Sequence, residues 1–353
     1  MRGGLGPAAL TVPSSRPAVK GERLSKVALV DKYGAFLSAK EGRFQLYVKN
    51  RKVWDLAPVE LDAIVFAVTG ASISASAVKL ANEFGIDLVF LDGNQPVARL
   101  IQARYGSTLK TWLHQLKAYK SLEERVRLAK CFVEGKLHNQ RMVLAEYYKY
   151  FKASGKSFSQ LASAISSLEE ALENLACTST IEEVRSIEAH AARHYWNAVS
   201  TLLPREAEFK QRLPRSRQLP GVEVDLFNKA LNIGYAALSR AVWKAVFMAG
   251  LNPYIGFLHK PRAGKMALVF DLMEEFRPIA VDRPLTASFR RSFEEYMDLK
   301  DDDREAARKV WKVVVNRMYE SKPPLESIIM EQARLLAKHV RGTDKYRPFK
   351  ARW

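Results

Sequence analysis

The sequence predicts an α+β fold: a small, sandwich-like β-rich domain that holds one helix, followed by a larger all-α C-terminal domain. Three observations predict it. Short apolar runs with period-two alternation, bounded by turn residues, continue to about residue 101, which is the pattern of half-buried strands. Beyond Arg104-Tyr-Gly106, long segments free of Gly and Pro carry apolar residues at helical spacing. The chain has 353 residues, 48% of them apolar and 10% aromatic. That suffices for two buried cores and excludes extended disorder.

In chain order, residues 1–22 are rich in Gly, Pro and Ser and lack an apolar core segment. They read as a flexible leader and not as a secretory signal. The β-rich domain is placed at 23–105. Its first strand is Lys26-Val-Ala-Leu-Val30, followed by a turn at Lys32-Tyr-Gly34. Strands at 35–38 and 44–48 flank a turn at Glu41-Gly42, and further strands are expected at 63–68, 86–91 and 96–101. Residues 74–84 carry Ala77, Val78, Ala81 and Phe84 at helical spacing and stop at Gly85. The helical domain is placed at 106–340, with breaks near Ser154-Gly155, Pro204, 214–221, 250–253 and Pro323-Pro324. A basic tail, 341–353, closes the chain, and no repeat of fixed period is apparent.

Charge sets the class of partner. Lys and Arg number 56 against 38 Asp and Glu, a formal net of +18. Such an excess repels itself in a folded chain and points to a polyanion. Clusters stand at Lys260, Arg262 and Lys265, at 212–217, and from Lys338 onward. Two cysteines, Cys131 and Cys177, form no CxxC pair, so a disulfide scaffold and a zinc ribbon are excluded. The longest apolar stretch, 242–258, is broken by Lys244, Asn252 and Pro253. No membrane contact is expected, and the cytoplasm is the expected compartment. There is no phosphate loop, no GxGxxG after a strand and no GxSxG elbow, so nucleotide hydrolysis, dinucleotide redox chemistry and α/β-hydrolase chemistry have no support.

Acidic residues interrupt this basic chain at informative places. On a helix over 181–199, Val184, Ala191, Ala192, Tyr195 and Val199 form one stripe, and Glu188 falls at its centre. An ionised carboxylate facing a core needs a cation, a hydrogen-bond network or a proton. A buried arginine would serve as well as a metal. His190 and His194 share that helix at i, i+4 but point away from Glu188, and read as surface residues. Further on, Gly256-Phe-Leu-His259 precedes Asp271, Glu274 and Glu275, which share a face if the segment is one helix. Carboxylates with one imidazole suit Mg²⁺ or Mn²⁺ at a phosphodiester-cleaving site. His259 is flanked by Lys260, Arg262 and Lys265, the positive ring such chemistry uses. A polar stripe of Asp225, Asn228, Asn232, Tyr235 and Ser239 on another helix suggests a buried hydrogen-bond network.

Four ordered motifs resemble the CRISPR-associated integrase/endonuclease family. They are Ser186-Ile-Glu188 through Trp196, Asp225-Leu-Phe-Asn228 through Tyr235, Gly250-Leu-Asn-Pro through His259, and Asp271-Leu-Met-Glu274-Glu-Phe-Arg-Pro278 with Asp282 beyond. Gly70-Ala-Ser-Ile-Ser74 and 84–92 join in, so the resemblance runs from about Leu24 to Val340. It implies an N-terminal β-rich domain that mediates homodimerisation, a helical catalytic domain, and one Mg²⁺ or Mn²⁺ ion per subunit. Carried over residue by residue, the ligands are Glu188, His259 and Glu274, with Asp271 supporting the site or reaching the ion. Arg277, Lys260, Arg262 and Lys265 would hold DNA phosphates. The chain departs from the family at Ala189, where Gly is common, and at His194, neither of which is a ligand. The implied activity is metal-dependent insertion of foreign DNA fragments (spacers) into a repeat array, with nicking by hydrolysis. The implied partners are double-stranded and branched DNA and a small ferredoxin-like companion protein. Two alternatives stay open at this stage: a non-catalytic DNA-binding scaffold, and a repair nuclease for branched DNA.

Overall fold

Alternating burial builds the N-terminal strands. In β2 (Ala35–Lys40) the small and aliphatic Ala35 and Leu37 point inward while Phe36 points out, and β3 (Arg43–Val48) buries Phe44 and Leu46 against them. The computed structural model describes residues 27–61, 63–92, 95–100, 107–154, 159–214, 223–301 and 303–352. The expected leader, 1–22, and the expected junction at 104–106 lie outside the described residues.

Among the described residues, eight strands form two four-stranded sheets. One has the order β1-β5-β7-β8, from β1 (Val27–Val30), β5 (Ala63–Phe66), β7 (Asp87–Asp92) and β8 (Gln95–Leu100). Its first three strands run parallel, and β8 closes it antiparallel. The other has the order β4-β3-β2-β6, with β4 (Arg51–Leu56) and β6 (Ser72–Ile73) at its edges. Those two edge strands were not expected. β4 carries charge and no alternation, and it exists because Lys49 and Asn50 both take positive φ, 49° and 60°, closing a two-residue hairpin between Val48 and Arg51. Helix α1 (Ala75–Phe84) starts on the Ser74 cap, whose side chain accepts from the Ala77 amide, and ends at Gly85 in the left-handed region, as the sequence predicts. One core, drawn from both sheets and α1, includes Val30, Leu37, Phe44, Ile64, Phe66 and Leu80.

The C-terminal region is helical: α2 (Ser107–Lys120), α3 (Leu122–Ala153), α4 (Ser159–Ala176), α5 (Ile181–Ser200), α6 (Leu226–Met248), α7 (Ala267–Met273), α8 (Arg283–Arg291), α9 (Arg304–Tyr319) and α10 (Leu325–Val340). A second core runs continuously through α3 to α10. A smaller cluster joins the two regions, where Val65, Val89 and Leu91 meet Phe247 and Met248 of α6. Arg99 of β8 reinforces the joint. It donates to Thr108 at 2.9 Å and to the Phe247 carbonyl, while Thr108 donates to Asp87 at 2.8 Å. No helix among the described residues is long and apolar enough to cross a membrane.

The stretch after α10, expected as a basic tail, is described to Arg352 and lies against α3. The Ala351 amide donates to Asn139 at 2.8 Å, Phe349 stacks on Phe276 at 5.0 Å, and Tyr346 is buried. Gly135 makes this crossing possible: a Cβ there would come within 2.8 Å of Glu275 Cγ and 3.2 Å of the Phe349 carbonyl.

Candidate active site

Helix α5 begins with a capping box, Thr180 with Glu183, and its apolar stripe packs through Val184, Ala191, Tyr195 and Val199. Glu188 sits where that stripe opens into a cleft of about 1340 Å³, and its side chain is 25% exposed. The cleft is lined by Glu188, His259, Lys260, Arg262, Lys265 and Arg277 among others. Six of the eight residues named from the sequence therefore line one cleft. Asp271 and Glu274 stand just behind it, both buried.

His259 is set by its neighbour Asp271. The amides of Phe257, Leu258 and His259 all donate to the Asp271 carboxylate, at 2.5, 3.0 and 2.9 Å. Gly256 lets that loop close, since a Cβ would meet Asp271 Oδ2 at 2.7 Å. Asp271 Oδ1 also accepts from His259 Nδ1 at 2.6 Å, which fixes the ring with its proton on Nδ1 and leaves Nε2 as the atom able to ligate. Burial alone would lower the imidazole pKa, but the Asp271 hydrogen bond and charge outweigh it and raise it. Asp271 is thus an orienting group behind His259, with its oxygens committed to four donors.

Glu274 and Glu188 meet at a cation. Lys136 of α3 lies 2.8 Å from Glu274 Oε2 and also pairs with Glu188 Oε1. Arg277 pairs with Glu274 Oε1 at 3.1 Å and lies over the Tyr235 ring. Burial pushes the Glu274 carboxyl up, yet Arg277, Lys136 and His259 together pull it well below the usual range. Burial likewise opposes the Lys136 charge, and Glu188 and Glu274 more than offset it, so its pKa is raised.

One expectation needs correction. Asp271, Glu274 and Glu275 do not share a face. Helix α7 stops at Met273, and the following turn is held by i to i+3 bonds, Glu274 to Asp271 and Phe276 to Met273. That tighter winding keeps Asp271 and Glu274 together but rotates Glu275 away. Its oxygens accept from Tyr346 at 2.5 Å and from the Phe349 amide at 2.7 Å. Arg277 lines the cleft with its side chain 25% exposed, paired with Glu274 and lying over the Tyr235 ring. Lys260, Arg262 and Lys265 do lie exposed at the cleft mouth.

The polar stripe on α6 is a network, as expected. Asp225 caps the helix, Asn228 is fully buried, and Asn228 and Asn232 accept from Arg212 at 2.8 and 2.7 Å. Tyr235 donates to Asp282 at 2.5 Å, and Tyr195 donates to the same carboxylate at 3.2 Å. Burial raises the Asp282 pKa to about 6. His190 is exposed and His194 half-buried, 3.1 Å apart between Nε2 atoms. Sequence reasoning missed Lys136, and placed Arg212 in a basic cluster without its part in this network. Lys136 could have been found by the same helical count that found Glu188, since it interrupts the stripe of Phe132, Val133, Leu137 and Val143 on α3.

Among the described residues, no three His, Cys, Asp or Glu side chains close around an ion by themselves. The donor set nonetheless fits a hard divalent ion. Two carboxylates from separate elements already converge on one cation, and an oriented imidazole stands beside them.

Comparison with known proteins identifies the family. The family profile described as CRISPR associated protein Cas1 matches residues 28–306. A protein of Saccharolobus solfataricus named CRISPR-associated endonuclease Cas1 1 is 40% identical over 327 residues, covering 93% of this chain and 84% of its own length. A protein of the same name from Archaeoglobus fulgidus is 30% identical over 349 residues, covering 92% and 99%. In fold, the chain is similar to a casposase solved with its integration product, at a TM-score of 0.76 and 21% identity over 92% of this chain and 98% of that one. The chain belongs to the CRISPR-associated Cas1 family.

Proposed function

We propose that this chain is a Mg²⁺- or Mn²⁺-dependent DNA endonuclease/integrase that inserts foreign DNA fragments into a CRISPR repeat array by transesterification, and nicks DNA by hydrolysis. One observation carries the reading. Glu188 and Glu274 meet at a single cation beside His259, in a cleft whose mouth is ringed by Lys260, Arg262 and Lys265. A divalent ion held by Glu188, Glu274 and His259 would supply Lewis-acid stabilisation of the charge that develops on phosphate. In strand transfer, the 3′-hydroxyl of the incoming fragment gives up its proton and forms a new phosphodiester. The repeat strand departs with a 3′-hydroxyl, so one P–O bond replaces another.

The chain's own groups divide the work. Asp271 holds His259 in the tautomer that presents Nε2. Arg277 keeps Glu274 ionised inside the protein. Lys260, Arg262 and Lys265 hold backbone phosphates by charge, without reading bases. The proposed partners are double-stranded and branched DNA, a second copy of the chain, and a small ferredoxin-like companion protein.

Glu188→Ala, His259→Ala and Glu274→Ala, assayed for strand transfer of a short duplex into a repeat-bearing plasmid with Mn²⁺ or Mg²⁺, should each lose activity. Wild-type activity in all three would overturn the assignment. A scaffold would bind DNA equally well in EDTA and transfer none with metal. A repair nuclease would cut fork substrates and leave the repeat plasmid untouched.

A further inference from the structure

Lys136 is a member of this site that neither the motifs nor the proposed reaction uses. It stands on the buried stripe of α3, only 9% exposed at its side chain, with its ammonium 2.8 Å from Glu274 Oε2 and paired with Glu188. A lysine costs free energy in such a place unless its charge is answered. Here it is answered by the two carboxylates assigned to the ion.

We propose that Lys136 is the built-in counter-ion of the metal-free site, competing with the divalent ion for Glu188 and Glu274. The proposal rests on the metal reading above and adds to it. Charge is the argument. With Lys136 and Arg277 in place, the two glutamates are already neutralised. A dication added to that set would leave an excess of positive charge in a largely buried site. Withdrawal of the ammonium into the cleft, which Lys136 also lines, relieves that repulsion. There the ammonium needs an anion, and a DNA phosphate is one. Metal and duplex therefore strengthen each other's binding through this side chain.

The test is calorimetric titration of Mn²⁺ into the full chain without DNA, for the wild type, Lys136→Met, Lys136→Gln and Lys136→Arg. The Met and Gln variants should bind Mn²⁺ about tenfold or more tightly than the wild type, and the Arg variant should not. Without metal, both neutral variants should melt below the wild type and gain more from Mn²⁺. Added duplex should tighten Mn²⁺ binding in the wild type and much less in Lys136→Gln. Gln keeps a polar end for the carboxylates should Met prevent folding. Mn²⁺ affinity unchanged or weakened in the neutral variants overturns the proposal. Glu188→Gln and Glu274→Gln separate the two ideas. If they keep wild-type Mn²⁺ binding, the site reading itself fails. If they lose it while the Lys136 variants match the wild type, only the competition fails.

Discussion

Glu274 and Glu275 are adjacent, both buried, and opposite in state. Burial pushes each carboxyl pKa upward, and in Glu275 nothing reverses it: Tyr346 and the Phe349 amide only moderate the rise, and the pKa reaches about 8. Glu274 faces Arg277 and Lys136, and its pKa falls well below the usual range. Cations, more than depth, decide which buried carboxylate stays charged. The turn at 274–276 thus divides the molecule into a charged cleft face and a neutral face that docks the C-terminal segment on α3.

The largest expected effect breaks the pair apart by activity. Glu274→Gln should reduce metal-dependent strand transfer by roughly a thousandfold, the scale of several kcal/mol of transition-state charge stabilisation. Glu275→Gln, which reproduces the protonated acid, should stay within about a few fold of the wild type. Equal losses in single-turnover strand transfer would mean that the two faces are one functional unit.

Next comes the orienting carboxylate. Asp271→Asn sets an amide group among three backbone N–H donors and frees the His259 ring. Mn²⁺ affinity should fall by about 10–100-fold, as for other partners that orient a ligating histidine. Unchanged affinity would remove Asp271 from the cleft side of the comparison.

Much of this was legible before the fold was known. The strands 27–30, 35–40 and 43–48 and helix α1 follow from alternation, caps and turns. Glu188 showed itself as a charge on an apolar stripe, and His259 with Asp271, Glu274 and Glu275 as an imidazole beside clustered carboxylates, while the choice of Glu274 as a ligand came through the resemblance. What stayed hidden depended on winding and on distant partners. A uniform 100° step groups Glu275 with Asp271 on one face, and the tighter turn after Met273 swings it away. Lys136 lies 52 residues from its partner Glu188 in sequence, so only folding pairs them. The docking of Tyr346 and Phe349 leaves no local mark, because a basic composition reads as solvated surface.

The neutral face should declare itself in pH. The folded pKa of Glu275 is raised to about 8 from the ordinary 4.5. The unfolded chain therefore releases this proton first, and stability falls as pH climbs from about 4.5 through 8. Asp282, raised to about 6, contributes in the same sense over a lower range. Urea midpoints at pH 5, 7 and 9 should decline in the wild type and decline less in Glu275→Gln, by on the order of a few kcal/mol. Comparing the two proteins at each pH cancels Asp282 and every other shared titration. Parallel curves would show that Glu275 is ionised like its neighbour.

The smallest effect tests whether the faces are independent. Tyr346 is buried, packs against Phe132 at 5.6 Å between ring centres and donates its hydroxyl to Glu275. Tyr346→Phe keeps the ring and removes one hydrogen bond, so the cost at pH 7 should be about 1 kcal/mol. In Glu275→Gln the same change should cost a different amount, and the double-mutant cycle gives the coupling. Mn²⁺ affinity should not move, because the lost bond lies on the side of the turn away from Lys136 and Glu188. A tenfold change in that affinity would mean that the C-terminal segment sets the position of Glu274 through Glu275, and the two glutamates would have to be treated as one device.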